Sequence, residues 1–159
     1  MKIGIYSRRS IKKRIADKSL DGYAVVSFHD PSERGVAQIE RVDYTGACER
    51  VTYIALHDLD REALGEVGLD EKSYFPEADA LAEFIYRAKE DGLNIICQCE
   101  YGQSRSAACA AAILEHFSRR GIDIFADYRY YPNQLVYHKI MDALGRKAGS
   151  EKGGNFGKK

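Results

Sequence analysis

The chain has 159 residues, of which 45% are hydrophobic and 30% charged, a balance that suits one soluble globular domain with a single core. Lys plus Arg and Asp plus Glu number 24 each, so net charge selects no class of partner, and nucleic-acid binding is not expected without an aromatic-interleaved basic motif. No apolar run reaches the roughly 18 residues of a membrane span, and MKIGIYSRRS lacks the apolar core of a secretory signal, so the expectation is a cytoplasmic protein with no membrane association.

KIGIYS (2–7) reads as a short strand, and Ser10 is placed to cap a basic helix running to about Ala16. Residues 1–20 hold seven basic side chains (Lys2, Arg8, Arg9, Lys12, Lys13, Arg14, Lys18) against Asp17 alone. Such a run is either a solvated face or an approach for anionic substrates. YAVVSFHD (23–30) is β-branched and aromatic and stops at Pro31, which predicts a buried strand; VTYIALHD (51–58) predicts another. Residues 33–50 between them carry no clear period.

REALGEVGLDEKSYF, after Asp60, is glycine-broken and charged and reads as a loop with one helical turn. In PEADALAEFIYRAKEDG (76–92), Ala78, Leu81, Ala82, Ile85 and Ala88 fall on one face, Pro76 suits a first turn and Gly92 a left-handed stop. LNIICQ (93–98) is a continuous apolar strand, and SRSAACAAAILEHFSRRG (104–121) a helix ended by glycine. Pro132 opens a last helix in which Val136, Ile140 and Leu144 share a face. Residues 1–147 thus read as one domain, and the Gly/Lys-rich stretch 148–159 as a disordered tail. The alternation predicts an α/β fold: a central, mainly parallel sheet flanked by helices on both faces.

In such sheets ligands gather at the carboxyl ends of the strands. There, between strand 93–98 and the following helix, stands CEYGQSRS (99–106). Gly102 takes positive φ without penalty, letting successive amides converge on an anion. The amides of Glu100, Tyr101, Gly102, Gln103, Ser104 and Arg105, with the positive end of the helix, would form a phosphate site. Arg105 in the first turn can clamp two oxygens as a fork. Cys99 at the bottom sits in a field that favours its thiolate, and Ser106 can donate its hydroxyl to the sulfur. The alanines 107, 108, 110, 111 and 112 permit close helix–sheet packing.

C-E-Y-G-Q-S-R-S resembles the C-x5-R-[ST] loop of the cysteine-dependent protein tyrosine phosphatases, and its Gly-x-Ser-Arg-Ser ending is most similar to the compact dual-specificity branch. The order strand, helix 76–91, strand, loop, alanine-rich helix follows that family over roughly residues 50–120. The resemblance implies a phosphatase acting on phosphate monoesters, of proteins (phosphotyrosine first and phosphoserine or phosphothreonine next) or of a small phosphate-ester substrate. It implies a phosphocysteine intermediate on Cys99, Arg105 as clamp, Ser106 assisting the leaving thiolate, and no metal or organic cofactor. It also implies an aspartate, acid then base, just after an apolar strand: Asp58 by alignment on the strand end, Asp60 as second choice, 41 and 39 residues before Cys99. Where the family has histidine before the nucleophile, this chain has Gln98, which donates hydrogen bonds but carries no charge.

Other readings of the stretch are a phosphate-binding module without turnover, and an arsenate reductase-like C-x5-R enzyme relaying through Cys97. A metal hook is disfavoured, because Cys97 and Cys99 lack further ligands at suitable spacing and His29, His57, His116 and His138 form no cluster. Tyr101 either lines the pocket or packs. DYRYYPNQ (127–134) either borders the cleft or packs on the core.

Overall fold

The computed structural model describes residues 1–32 and 41–153, so part of the 33–50 segment and the last six tail residues lie outside the described residues. Four strands, β1 (Ile3–Ser7), β2 (Tyr23–His29), β3 (Val51–Ala55) and β4 (Asn94–Cys99), lie in the order β1-β4-β2-β3, every pairing parallel. The helices are α1 (Arg8–Asp17), α2 (Ala78–Glu90), α3 (Arg105–Ser118), the single-turn α4 (Ile122–Phe125) and α5 (Gln134–Gly153), with a 3-10 turn at Leu64–Val67. Strand periodicity explains the two layers around the sheet. Ala24, Val26, Phe28, Ile95, Cys97 and Cys99 pack on one face with α2, α3 and α5. Val25 and Ile96 face the other way, toward Ile11 and Leu20 and the tyrosine-bearing segment of Val42 and Tyr44. The expected α/β sheet covered on both faces is the observed one.

Helix α2 buries the five residues its period selected, and Gly92 follows it at φ +69°. The buried stripe of α5 (Val136, Ile140, Leu144) packs against α3, where Ala107, Ala108 and Ala110–Ala112 are fully buried, while α2 packs on α5 and β4. Small side chains let α3 lie close to β4, so the loop joining them is anchored at both ends by core packing.

Several boundaries differ from the sequence reading. Ser7, not Ser10, is the N-cap of α1: its hydroxyl accepts from the Ser10 amide at 3.0 Å, while the Ser10 hydroxyl accepts from the Ser7 amide at 2.9 Å. This reciprocal box lets the helix begin directly at the end of β1. The last turn of α3 closes on Arg119, left-handed at φ +57°, rather than on a glycine. Gly121 is instead required by close approach, because a Cβ there would lie 2.8 Å from the Glu115 side chain. Residues 148–153 of the expected tail are helical, since α5 continues to Gly153. Among the described residues, no helix is long and apolar enough to cross a membrane.

Candidate active site

The chain leaves the carboxyl end of β4 at Cys99 and enters α3 at Arg105, and the five residues between them form a tight cradle. Gly102 stands at φ +68°, with its α-carbon pressed against the start of α1; a Cβ would meet the Ser7 nitrogen at 2.6 Å and the Tyr6 carbonyl carbon at 2.8 Å. Only glycine satisfies both the dihedral and the gap. The amides of residues 101–104 donate to no acceptor among the described residues. Open amides over a helix N-terminus are what an oxyanion requires.

Cys99 is 2% exposed and lies on the core face of β4, with its sulfur 3.0 Å from the Ser106 hydroxyl. Ser106 is itself buried in the first turn of α3. Arg105 is 3% exposed, an unusual burial for a guanidinium that needs partners. Its Nη1 donates to Asp30 Oδ1 and to the Leu56 carbonyl, both at 2.7 Å. Its Nε is buried with no acceptor among the described residues, leaving a donor free for a bound oxyanion.

Behind Cys99, Gln98 points to the opposite face of the sheet. Its Nε2 donates to the Cys99 carbonyl at 3.0 Å, and its Oε1 accepts from Ser27 at 2.6 Å and from Tyr44 at 3.0 Å. Burial holds the Tyr44 phenol well above its usual range, so it remains a donor. Glutamine here ties down the backbone of Cys99 through a neutral, buried network. Glu100 turns outward: its carbonyl accepts from the Arg8 amide at 3.0 Å and its carboxylate lies 3.9 Å from the Arg8 guanidinium.

The two candidate acids separate clearly. Asp58 Oδ1 accepts from the Ser104 hydroxyl at 2.7 Å and from Asn133 Nδ2 at 2.9 Å, which brings it to the rim of the cradle. Asp60 Oδ1 accepts from the Ala63 amide at 2.9 Å and caps the next turn. Asn133 also donates to the Leu59 carbonyl at 2.8 Å, and its Oδ1 accepts from the Val136 amide at 2.9 Å as N-cap of α5. The same segment is tied to the cradle through the Tyr131 amide, which donates to the Gln103 carbonyl at 2.8 Å. The end of the 127–134 stretch therefore borders the cradle, and both Tyr131 and Tyr101 are exposed. A cleft of about 550 Å³ is lined by Asp60, Arg61, Glu62, Asn133 and His138.

Asp30 and Asn133 were missed by sequence reasoning. Asn133 carried a legible signal, a capping residue after Pro132 and before an apolar period, but its bond to a residue 75 positions away did not. Cys97 packs against Cys109 and Cys99; the hydrogen bond with Cys109 and burial push its thiol well above the usual range. All four cysteines are free, and no group of three or more potential metal ligands occurs among the described residues.

The parallel sheet with its flanking helices has the fold of the cysteine-dependent protein tyrosine and dual-specificity phosphatases. The solved structures that this chain is similar to carry that fold. PTPMT1 in complex with PI(5)P superposes with a TM-score of 0.53 at 12% identity, covering 94% of each chain. Human DUSP28 gives 0.53 at 13% identity over 93% of this chain and 94% of that one. Cydia pomonella PTP-2 phosphatase gives 0.52 at 12% identity over 89% and 85%. No family model matches the sequence, and no curated protein matches it.

Proposed function

We propose that this protein is a phosphatase that hydrolyses phosphate monoesters through a phosphocysteine intermediate, with phosphotyrosine in proteins as the first substrate class and phosphoserine or phosphothreonine the next. One observation carries the reading: a buried cysteine, bonded to Ser106, forms the floor of a loop of open amides closed by a buried arginine with a free donor.

In the first step the Cys99 thiolate attacks phosphorus, the ester P–O bond breaks, and the leaving oxygen takes a proton from Asp58. The loop amides and Arg105 hold the equatorial oxygens as charge shifts. In the second step Asp58, now a carboxylate, takes a proton from water as it attacks phosphorus. The S–P bond breaks, and the departing thiolate is received by the Ser106 hydroxyl. Asp58 is favoured over Asp60 by its bond to Ser104, a residue of the cradle itself. The complex of PTPMT1 with PI(5)P places a phosphate ester in a protein of this fold. A relay through Cys97 is disfavoured, because a buried thiol held protonated by its surroundings is a poor nucleophile.

The test is release of phosphate from p-nitrophenyl phosphate. Wild type and Cys97→Ser should turn over, and Cys99→Ser should lose about 10³-fold or more. Absence of turnover in wild type, with phosphate still bound, would instead make the cradle a binding module.

A further inference from the structure

Helix α1 starts where the cradle ends. Ser7 is paired with Cys99, the Arg8 amide bonds the Glu100 carbonyl at 3.0 Å, and Gly102 packs on the Ser7 backbone. The first turns of a strongly basic helix are therefore fixed at the lip of the phosphate site. Arg8 is engaged with Glu100. Arg9, Lys12 and Lys13 are exposed and have no acidic partner among the described residues. Arg9 and Lys13 lie on the side of the helix opposite Ile11, which is fully buried, and Lys12 lies on its flank. At 1.5 Å per residue, Lys12 and Lys13 stand about 4.5 and 6 Å along the axis from Arg9, stepping away from the cradle.

We infer that this edge is a docking shelf for an acidic peptide: the substrate is a phosphorylated residue flanked by Asp or Glu. The inference rests on the phosphatase reading of the cradle and adds the chemistry of the substrate's flank. An extended chain advances about 3.3 Å per residue, so carboxylates two or three positions from the phosphorylated residue come opposite cations spaced along the helix. The mouth is open enough for a chain, since Tyr101 and Tyr131 at its rim are 78% and 74% exposed. A membrane is the poorer occupant. An interfacial helix needs an apolar face turned outward, whereas Ile11 and Ile15 of α1 are turned into the protein.

Two measurements separate the shelf from the chemistry. Fluorescence anisotropy on the Cys99→Ser protein compares a phosphotyrosine peptide flanked by Asp and Glu with the same peptide carrying Asn and Gln. Turnover of p-nitrophenyl phosphate by wild type reports on the phosphatase reading independently. The acidic peptide should bind about tenfold more tightly, with the advantage lost at high salt. Adding Arg9→Gln, Lys12→Gln and Lys13→Gln should bring the ratio of the two affinities close to one; the charge-reversed triple variant should invert it. Equal binding of both peptides, or a ratio unchanged in both triple variants, overturns the proposal. So does tighter association with phosphatidylserine vesicles than with the acidic peptide, which would give the shelf to a membrane surface.

Discussion

The cradle and the segment bearing Asp58 are joined by bonds from Ser104 to Asp58 and from Arg105 to the Leu56 carbonyl, yet they are held in different ways. The cradle is fixed by the interior: Cys99, Arg105 and Ser106 are buried, the alanines of α3 lock the helix to the sheet, and Gly102 fills a gap no other residue fits. Asp58 itself follows β3 outside any helix or strand and is exposed, and its segment is held by side-chain bonds from Ser104 and Asn133 and by the Tyr74 hydroxyl, which donates to the His57 carbonyl at 2.6 Å. On the proposed mechanism, the difference teaches that phosphate binding would be a property of the core, whereas proton transfer would depend on polar contacts nearer the surface.

The strongest way to break the comparison is Arg105→Lys. An ammonium cannot form the fork or serve Asp30, the Leu56 carbonyl and an oxyanion together, so kcat/KM should fall by about 10²–10³-fold. A fall of less than tenfold in steady-state kinetics would mean that Arg105 does not clamp the phosphate. Asp58→Ala should follow, with about a hundredfold loss on a phosphotyrosine peptide and a smaller one on p-nitrophenyl phosphate, whose more acidic phenol leaves with less help. Equal losses on the two substrates would move the acid elsewhere.

Asn133→Asp sharpens the comparison further. The carboxylate keeps an acceptor for the Val136 amide but removes the donor to Asp58, so turnover should drop about tenfold while the denaturation midpoint stays close to wild type. Binding of inorganic phosphate to the cradle should change little, which is the outcome that separates the two regions. The smallest effect concerns His29, at the end of β2. Burial first, then the charges of Arg41 and Arg105, lower its pKa below 6.5. The unfolded chain therefore takes up the proton more readily. The stability due to neutral His29 is present above pH 6.5 and is lost as pH falls through the lowered folded value. Thermal denaturation of His29→Asn between pH 7.5 and 5 should show a shallower decline than wild type.

Periodicity made the scaffold legible. The buried faces of α2 and α5, the strands and the site of the loop were all visible, because apolar spacing and glycine punctuation are local signals. Helix starts were less so, as Ser7 and Ser10 have equal capping chemistry and the geometry at the end of β1 chooses between them. Asp30 gave no signal, since its role is a bond to a side chain 75 residues away.

By itself, the sequence determined the kind of machine: a strand, a loop from Cys99 to Ser106 with glycine at its bend, and a small-residue helix to brace it. Those are nearest-neighbour facts, written in consecutive residues. Tertiary structure alone decided that Gln98 is bonded to Ser27 and Tyr44, that Glu100 turns to Arg8, and that Asp58 rather than Asp60 reaches the cradle. Each of these is a contact between distant positions, and burial makes such bonds costly to leave unmade without leaving a mark in the local pattern.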